Sequence, residues 1–444
     1  MRTSKTSKSK IRANFLPSCF PARASPISRR GSVSEVGFKS VVWAERKGKY
    51  SCEEGEMIMD QYSEVTTQGL GSRLINSIKG VAFGLLFFII ALPLLWWNEG
   101  RAIKTARALQ EGEKTVISVA ADRVDPANEE KLVHVTGRAT TNETLKDATF
   151  GVSANAIKLR RIVQMYQWTE KSSSQKQKKL GGSETTETTY TYEPSWSEKP
   201  VDSATFKQRN GHENPPMPFR SAELSAGNVS LGAFRLSLTL ISSVTGDSGV
   251  DASQAAIPEF LQARAQRIEN GLEVGDPASP KVGDLRIKFT EAPQQEVSVV
   301  ARQVQDTFEP YPTRAGRDIE LLSMGTLSAE SMFTTSERKN STLTWILRGA
   351  GFILMFVGLM LVFRPLATAG DVIPIFGSLL GLGVGVVSGM VALCLSLLVI
   401  ALAWIAYRPL VGTALLVLAC LAIYALVRVR HSKTLKTPAA SASQ

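Results

Sequence analysis

The apolar positions of this 444-residue chain are concentrated in one run near residue 80 and in further runs within its last hundred residues. Residues 81–97 are uncharged and mostly apolar, and as a helix they would extend about 25 Å, slightly less than a bilayer core of about 30 Å. Ile75 and Ile78 extend this run backward. We therefore predict transmembrane helix 1 over residues 75–97, closed by Trp96 and Trp97 as an interfacial aromatic belt.

The C-terminal quarter predicts further membrane segments. Residues 343–363 form an apolar run that carries one charge, and residues 372–407 carry none, which is too long for one simple crossing. Pro374 and a series of glycines disfavour a regular helix in the first part of that stretch. The predicted segments are transmembrane helix 2 at 343–363, an interfacial or re-entrant segment at 364–383, helix 3 at 384–407, and helix 4 at 410–427.

The region between helices 1 and 2, residues 98–342, has mainly strand-like patterns. Runs rich in β-branched and aromatic residues predict strands at 115–121, 132–140, 157–169, 185–196, 284–290, 295–302 and 318–324. The third and fourth of these flank a polar turn, which predicts a long hairpin. Residues 254–268 have helical apolar spacing and predict a helix. The fold class is thus a multi-pass α-helical membrane protein, with four transmembrane helices and a large β-rich α+β domain inserted between the first two.

Charge placement predicts which side of the membrane each part occupies. The net charge of +11 divides into +7 for residues 1–80, −2 for 98–342 and +6 for 343–444. Basic flanks beside apolar spans are typical of cytosolic segments, whereas a nucleic-acid site would need a basic face on the folded domain. We therefore expect cytosolic tails at 1–74, mostly disordered, and at 428–444, with an extracytoplasmic domain at 98–342.

No catalytic or metal-binding constellation is evident. Residues 98–342 contain no cysteine and only His134 and His212, which excludes a Cys/His zinc site in this region. We expect His134 to be a strand residue and His212 a turn residue, rather than ligands. The sequence therefore predicts no enzyme and no cofactor.

Charged and small residues within the spans are candidates for membrane packing. Arg348 lies about one turn into helix 2, where it either extends to the interface or pairs with Glu99 and so ties helix 1 to helix 2. The repeated glycines form either one smooth helical face for another helix or a flexible re-entrant turn. The candidate residues are Asn98, Glu99, Gly100, Arg101, Arg348, Gly377, Gly381, Gly385, Gly389 and Arg408.

Several stretches, in order from about residue 70 to 430, carry a family resemblance. They are Asn98-Glu99-Gly100-Arg101-Ala102, Leu132-Val133-His134-Val135, Lys158-Leu159-Arg160-Arg161, Met165-Tyr166-Gln167-Trp168, Gly211-His212-Glu213-Asn214-Pro215, Val282-Gly283-Asp284-Leu285-Arg286, Thr344-Trp345-Ile346-Leu347-Arg348 and Tyr407-Arg408-Pro409-Leu410. Together they resemble the LUMA family, also called the transmembrane protein 43 family. The basic segment at 1–56 departs from the pattern of that family.

The resemblance implies a four-span protein that organises membrane protein complexes. In animals it implies the endoplasmic reticulum and inner nuclear membrane, with emerin and lamins as partners. In a bacterium those partners would not apply, and a cell-envelope role in the inner membrane would remain. The expected partners are otherwise the lipid bilayer, other membrane proteins and a possible second copy of the chain, with no nucleic acid.

The sequence therefore leaves three functions open. The first is a non-enzymatic membrane scaffold. The second is an accessory subunit of a transporter or channel, suggested by the broken, glycine-rich segment near Pro374. The third is an enzyme with its site in the outer domain, where no spacing of carboxylates distinguishes a site from a solvated surface.

Overall fold

A computed structural model describes residues 60–407 and the single residue 417. The helices are α1 (Leu70–Thr115), α2 (Leu238–Ser243), α3 (Ala329–Gly370) and α4 (Pro374–Tyr407), with short 3-10 turns at Pro126–Asn128, Ser203–Thr205 and Glu259–Leu261. The strands are β1 (Asp60–Gln68), β2 (Ile117–Val119), β3 (Leu132–Thr140), β4 (Leu145–Lys146), β5 (Ser153–Ala154), β6 (Lys158–Lys178), β7 (Glu184–Ser197), β8 (Ala222–Ser225), β9 (Ser230–Leu231), β10 (Phe234–Arg235), β11 (Ser248–Gly249), β12 (Ala265–Ile268), β13 (Gly271–Val274), β14 (Leu285–Ala292), β15 (Glu296–Val304), β16 (Thr307–Glu309), β17 (Tyr311–Pro312), β18 (Asp318–Ile319) and β19 (Leu321–Met324).

Three of the helices in the described part of the chain are long and apolar enough to cross a membrane, namely α1, α3 and α4. Each extends beyond the span predicted for it. Helix α1 begins at Leu70 and continues past Trp97 to Thr115, and α3 begins at Ala329, where Ser328 caps it by accepting a bond from the Ser331 amide. The predicted fourth span at 410–427 and the tail at 428–444 lie outside the described residues, so both stay predictions.

The segment at 364–383, predicted to be interfacial or re-entrant, is almost entirely helical, and whether it crosses or re-enters a membrane stays a prediction. Residues up to Gly370 continue α3, and α4 is helical from Pro374 onward, so only three residues separate the two helices. Pro374 is at the first position of α4, where proline has no helical hydrogen bond to lose. The apolar environment of a span also favours helix over any open backbone, which outweighs the low intrinsic propensity of glycine.

Close backbone contact joins α1 to α3. A Cβ added at Gly84 would lie 2.6 Å from the Gly358 carbonyl oxygen, and one added at Gly358 would lie 2.8 Å from the Gly84 oxygen. Two to three turns further along the pair, the Leu95 side chain of α1 packs directly over Gly351 of α3. The small residues that allow helices to pack closely are thus on α1 and α3.

The β domain is built on two large sheets with separate apolar cores, together with the two-stranded pairs β4-β5 and β17-β18. One sheet has the strand order β1-β7-β6-β14-β13-β12, with β8 and β11 paired at its side. In the other sheet β15 pairs with both β16 and β3, so that β15, β16, β10, β9 and β3 close on themselves. The predicted hairpin is confirmed as β6 and β7, and the predicted helix at 254–268 is wrong, because this segment forms a 3-10 turn and β12.

The membrane helices continue into the core of the β domain. Leu109 of α1 and Phe333 of α3 are buried together with Leu132 of β3, Val300 of β15 and Ile319 of β18. Gly112 of α1 is packed so closely that an added Cβ would lie 2.4 Å from Ile319. The helices and the β domain therefore share one core instead of being joined by a flexible linker.

The chain before α1 is also part of the β domain. Residues 60–74 were predicted to belong to a disordered tail, but β1 pairs with β7 over nine residues, from Asp60 opposite Tyr192 to Gln68 opposite Glu184. This prediction is therefore wrong for residues 60–74, whereas residues 1–59 lie outside the described part. The strands β1, β7 and the distal half of β6 form a ribbon, called here the polar ribbon, that is rich in Ser, Thr, Lys and Glu.

The polar ribbon gives a direct test of sidedness. It reaches the amino end of α1 at Arg73, whereas the domain core contacts α1 at Leu109, about 54 Å further along the helix. The unpaired backbone groups at the edge of a polar ribbon are not stable in contact with lipid. The ribbon and the lipid of a bilayer therefore cannot both cover the same face of α1.

We expect a disulfide to form in sealed membranes between Ser63→Cys and Thr189→Cys, since their hydroxyl oxygens lie 3.3 Å apart in the paired register. The background chain would have its four native cysteines replaced. The off-register pair Ser63→Cys and Thr191→Cys is the control. Absence of the first crosslink in membranes would contradict the pairing and support a separate cytosolic segment before α1.

The loop between β3 and β4, which contains Glu143, predicts a pH-dependent contribution to stability. Its carboxylate accepts bonds of 2.8 Å from the Gly227 and Asn228 amides and from the Asn228 side chain, and these donors lower the pKa of Glu143 from its usual value near 4.5. Because the pKa of this carboxyl group is lower in the folded state, it stabilises the fold at pH values above its unfolded-state pKa. That stabilisation is lost as the pH falls through the folded-state pKa.

At pH 7, the midpoint temperature of thermal unfolding should therefore be lower for Glu143→Gln than for the unmodified chain. The difference between the two midpoints should disappear as the pH falls below about 4.5. Glu113→Gln, at an exposed position of α1, is the control that should show no such dependence. A difference that stays constant with pH would refute the role of the carboxylate.

Candidate functional site

The charged residues of α1 and α3 meet at one level of the helices, together with a tryptophan from α4. Arg348 donates from Nε to Glu99 Oε1 at 2.7 Å and from Nη2 to Glu99 Oε2 at 2.8 Å. Trp404 Nε1 donates to Glu99 Oε2, also at 2.7 Å. Glu99 is 1% exposed, and its carboxylate accepts three hydrogen bonds, two from α3 and one from α4. Such a two-pronged arrangement is the strongest geometry available to an arginine and a carboxylate.

Two indole rings flank the arginine of this pair. The guanidinium carbon of Arg348 lies 4.7 Å from the ring centre of Trp345 and 5.9 Å from that of Trp404. Aromatic faces stabilise a cation where water is scarce. Arg348 therefore pairs with Glu99 in this structure rather than extending alone to the interface.

Every residue of the sequence Asn98-Glu99-Gly100-Arg101 contacts another helix. Asn98 donates to the Thr344 carbonyl at 3.1 Å, and Arg101 donates to Asn340 Oδ1 and Thr344 Oγ1 at 3.0 Å each. An added Cβ at Gly100 would lie 2.7 Å from the Tyr407 ring. We call the whole set the interfacial cluster: Asn98, Glu99, Gly100, Arg101, Asn340, Thr344, Trp345, Arg348, Trp404 and Tyr407.

A second polar cluster lies at the other end of the same helices. Asp371, between α3 and α4, is 2% exposed and accepts from Arg73 at 2.5 Å and from Lys178 at 2.7 Å. Arg73 also bonds to Glu184 at 3.0 Å and to the Gly182 carbonyl, at the tip of the polar ribbon. Sequence reasoning missed this cluster, although Asp371 is the single acidic residue after position 342.

The two clusters are separated by about the thickness of a bilayer. From Arg73 to Glu99 is 26 residues of helix, or about 39 Å, compared with about 40–45 Å for a bilayer that includes its headgroup regions. Between them α1 carries one charge, Lys79, and α3 carries one between Arg348 and Asp371, Arg364. This spacing matches an apolar slab bounded by two ion-paired layers.

The glycine series of α4 is not a site of close helix contact within residues 60–407. Gly381 and Gly385 have no neighbour within 4 Å of an added Cβ, and Gly389 has only Phe356 at 3.6 Å. Gly377 instead packs against Asp371. The interpretation of these glycines as one smooth packing face is therefore not supported among the described residues. Arg408 lies outside them.

The remaining candidates have structural contacts. His134 is bonded to Ser118 at 3.1 Å and to the Leu327 carbonyl at 2.9 Å. His212, in the segment between β7 and β8, stacks on Tyr192 with ring centres 4.1 Å apart. In the described part of the chain no group of three or more His, Cys, Asp or Glu is placed to hold a metal ion.

The comparisons with known proteins agree on one group. A family model described as Transmembrane protein 43 matches residues 165–409. A mouse protein named Transmembrane protein 43 is 35% identical over 83% of this chain and 95% of its own length. The human protein of that name is 37% identical over 77% and 88%, and a fruit-fly homolog is 30% identical over 75% and 90%. No solved structure matches the chain.

Proposed function

The chain belongs to the transmembrane protein 43 family, and on that premise we propose that it is an integral membrane scaffold that organises membrane protein complexes. The observation that carries this proposal is the shared core of Leu109, Phe333, Leu132, Val300 and Ile319, which fixes the β domain to α1 and α3. A domain held rigidly on membrane helices presents binding surfaces at a defined height and orientation above the bilayer. Precise presentation of surfaces is what a scaffold requires.

The interfacial cluster supports the same proposal. Its hydrogen bonds and ion pair join α1, α3 and α4 at one level, and none of its groups is arranged as a nucleophile with an activating base. Most of its donors and acceptors bond to one another, which stabilises the packing of these three helices. The cluster is thus suited to fixing the relative positions of α1, α3 and α4.

The accessory-subunit alternative has lost its main support. It was suggested by a broken segment near Pro374, and α4 is a continuous helix from that residue to Tyr407. Discontinuous helices are the feature that transporters use to form sites at mid-membrane. Flux of a solute through liposomes that contain this chain alone would revive that alternative.

The partners we propose are other membrane proteins and the bilayer itself. In an animal cell, emerin and lamins are the first candidates, at the inner nuclear membrane and endoplasmic reticulum. In a bacterium, the candidates are proteins of the inner membrane. A second copy of the chain is also a candidate partner.

A scaffold is tested by whether it brings together two proteins that do not bind each other. Two membrane proteins that co-purify with the chain would be labelled for proximity in cells that lack it. We expect the unmodified chain to restore their proximity, and Phe333→Ala, which loosens the shared core, to restore it poorly at equal abundance. Proximity that persists without the chain would refute a scaffold role for that pair.

A further inference from the structure

A cavity of about 360 Å³ opens beside the interfacial cluster, between α1, α3 and the end of α4. Its volume is within the range of small-molecule sites. The residues that bear on its chemistry are Glu99, Glu337, Ser341, Trp345, Arg348 and Trp404.

The wall of the cavity carries one uncompensated negative charge. Glu99 and Arg348 neutralise each other at 2.7 and 2.8 Å. Glu337 is exposed and forms no ion pair or hydrogen bond within residues 60–407. Glu337 therefore favours a cationic group at the end of the cavity nearest the β domain, whereas the Arg101 guanidinium, bonded to Asn340 and Thr344, adds a positive charge at the level of the interfacial cluster.

The polarity of the wall changes step by step along α3. Trp345, Ser341 and Glu337 are spaced four residues apart, which places them on one face of the helix at successive turns. The order is an indole nearest the apolar span, then a hydroxyl, then a carboxylate nearest the β domain. A phospholipid has the same order: acyl chains, then a phosphate ester that accepts hydrogen bonds, then, in zwitterionic lipids, an ammonium group.

The indole of Trp345 lies about 12 Å along α3 from Glu337 and offers an apolar surface to the acyl end of a lipid. Arg348 lies near this ring, yet 66% of Trp345 remains exposed, so part of the ring is free for a ligand. Trp345 also belongs to the aromatic level that marks the edge of the apolar spans, together with Trp96 and Trp97.

We propose that this cavity binds the headgroup of a zwitterionic phospholipid, with its ammonium group against Glu337, its phosphate ester beside Ser341 and its acyl chains leaving past Trp345. The ligand class is defined by the ammonium group and not by a particular acyl chain. A bound lipid at this position would join the scaffold to the surrounding leaflet.

The test uses the full chain in nanodiscs of phosphatidylcholine diluted into phosphatidylglycerol, with bound lipid counted by native mass spectrometry. We expect retention of phosphatidylcholine over phosphatidylglycerol, and an affinity about tenfold weaker in Glu337→Gln, the size of one charge-assisted contact. Glu330→Gln, on the same helix but outside the cavity, is the matched control. Ser341→Phe, which fills the cavity, should abolish retention while circular dichroism remains unchanged.

Two results would overturn the proposal. One is equal retention of the two lipids, or retention that Glu337→Gln does not alter. The other is binding of soluble choline with no retained phosphatidylcholine, which would assign the cavity to a free ammonium compound instead of a lipid. Displacement of retained phosphatidylcholine by excess soluble phosphocholine would support the proposed headgroup contact.

Discussion

Glu99→Ala is expected to lower the free energy of unfolding of the helical part by about 3 kcal/mol. The substitution leaves the guanidinium of Arg348 without its carboxylate and leaves the Trp404 N–H without an acceptor. We take the low end of the range for a broken buried pair because Arg348 keeps 17% of its side chain exposed. Unfolding of the purified chain in mild detergent, followed by tryptophan fluorescence, measures the effect.

Glu113→Ala is the control for this loss, since Glu113 lies on the same helix at an exposed position. A change of less than about 0.5 kcal/mol, the ordinary scatter of surface substitutions, should result there. Equal effects of the two substitutions would mean that the Glu99 contacts add nothing to helix packing. Membrane insertion should be intact in both variants, because the apolar spans are unaltered.

Gly84→Val is expected to separate α1 from α3 and to destabilise their packing by about 1–3 kcal/mol, the usual cost of overpacking. Its Cβ would lie 2.6 Å from the Gly358 oxygen and 2.9 Å from the Leu361 Cβ, and backbone atoms cannot move aside as a flexible side chain can. The measurement is the yield of a crosslink between single cysteines on α1 and α3, together with unfolding in detergent.

Gly381→Val provides the matched control, since an added Cβ there has no neighbour within 4 Å among the described residues. Its crosslink yield and stability should equal those of the unmodified chain. The opposite result, loss at Gly381 with no loss at Gly84, would restore the interpretation of the α4 glycines as the packing face. The two positions thus distinguish the contact in the structure from the one suggested by glycine spacing.

The sequence predicted those elements whose pattern is local. Residues 132–140 alternate in a way that a strand requires, and β3 has these same bounds. The polar turn between two β-branched runs predicted the β6–β7 hairpin, although its strands are longer than the patterns suggested. Residues 81–97 lie inside α1 because an uninterrupted apolar run satisfies its backbone best as a helix.

The extent of α1 depends on contacts distant in sequence. Its apolar run ends at Trp97, which is where a span prediction ends. The helix continues because Ile103, Ala108 and Leu109 are buried against α3 and the β domain. Tertiary packing of one face sets the length of a helix more than intrinsic propensity does.

The segment at 254–268 shows the reverse case. Its apolar spacing fits a helix, yet Pro258 interrupts it, Phe260 is 66% exposed, and Ala265–Ile268 pairs with β13. Periodicity alone does not distinguish a helix from a turn followed by an edge strand. The available strand partner decides the outcome, and a single sequence does not reveal it.

Part of the interfacial cluster could be predicted, and part could not. A charge inside a span needs a partner or a route to the interface. The sequence therefore left two alternatives for Arg348, extension to the interface or pairing with Glu99. Trp404 and Tyr407 carried no such signal, because aromatic residues at the end of a span are common. The contacts of β1 and Asp371 with the polar ribbon depend on the fold as a whole.

Glu99 and Arg348 act as one unit that holds α1 to α3. The decisive measurement of this coupling is a double-mutant cycle with leucine at both positions, with unfolding of the full chain in mild detergent as the readout. We predict that Glu99→Leu and Arg348→Leu each destabilise, and that the double variant is close to the unmodified chain because no unpaired charge remains. Additive losses in the double variant would contradict the claim and leave apolar packing as the force that joins the two helices.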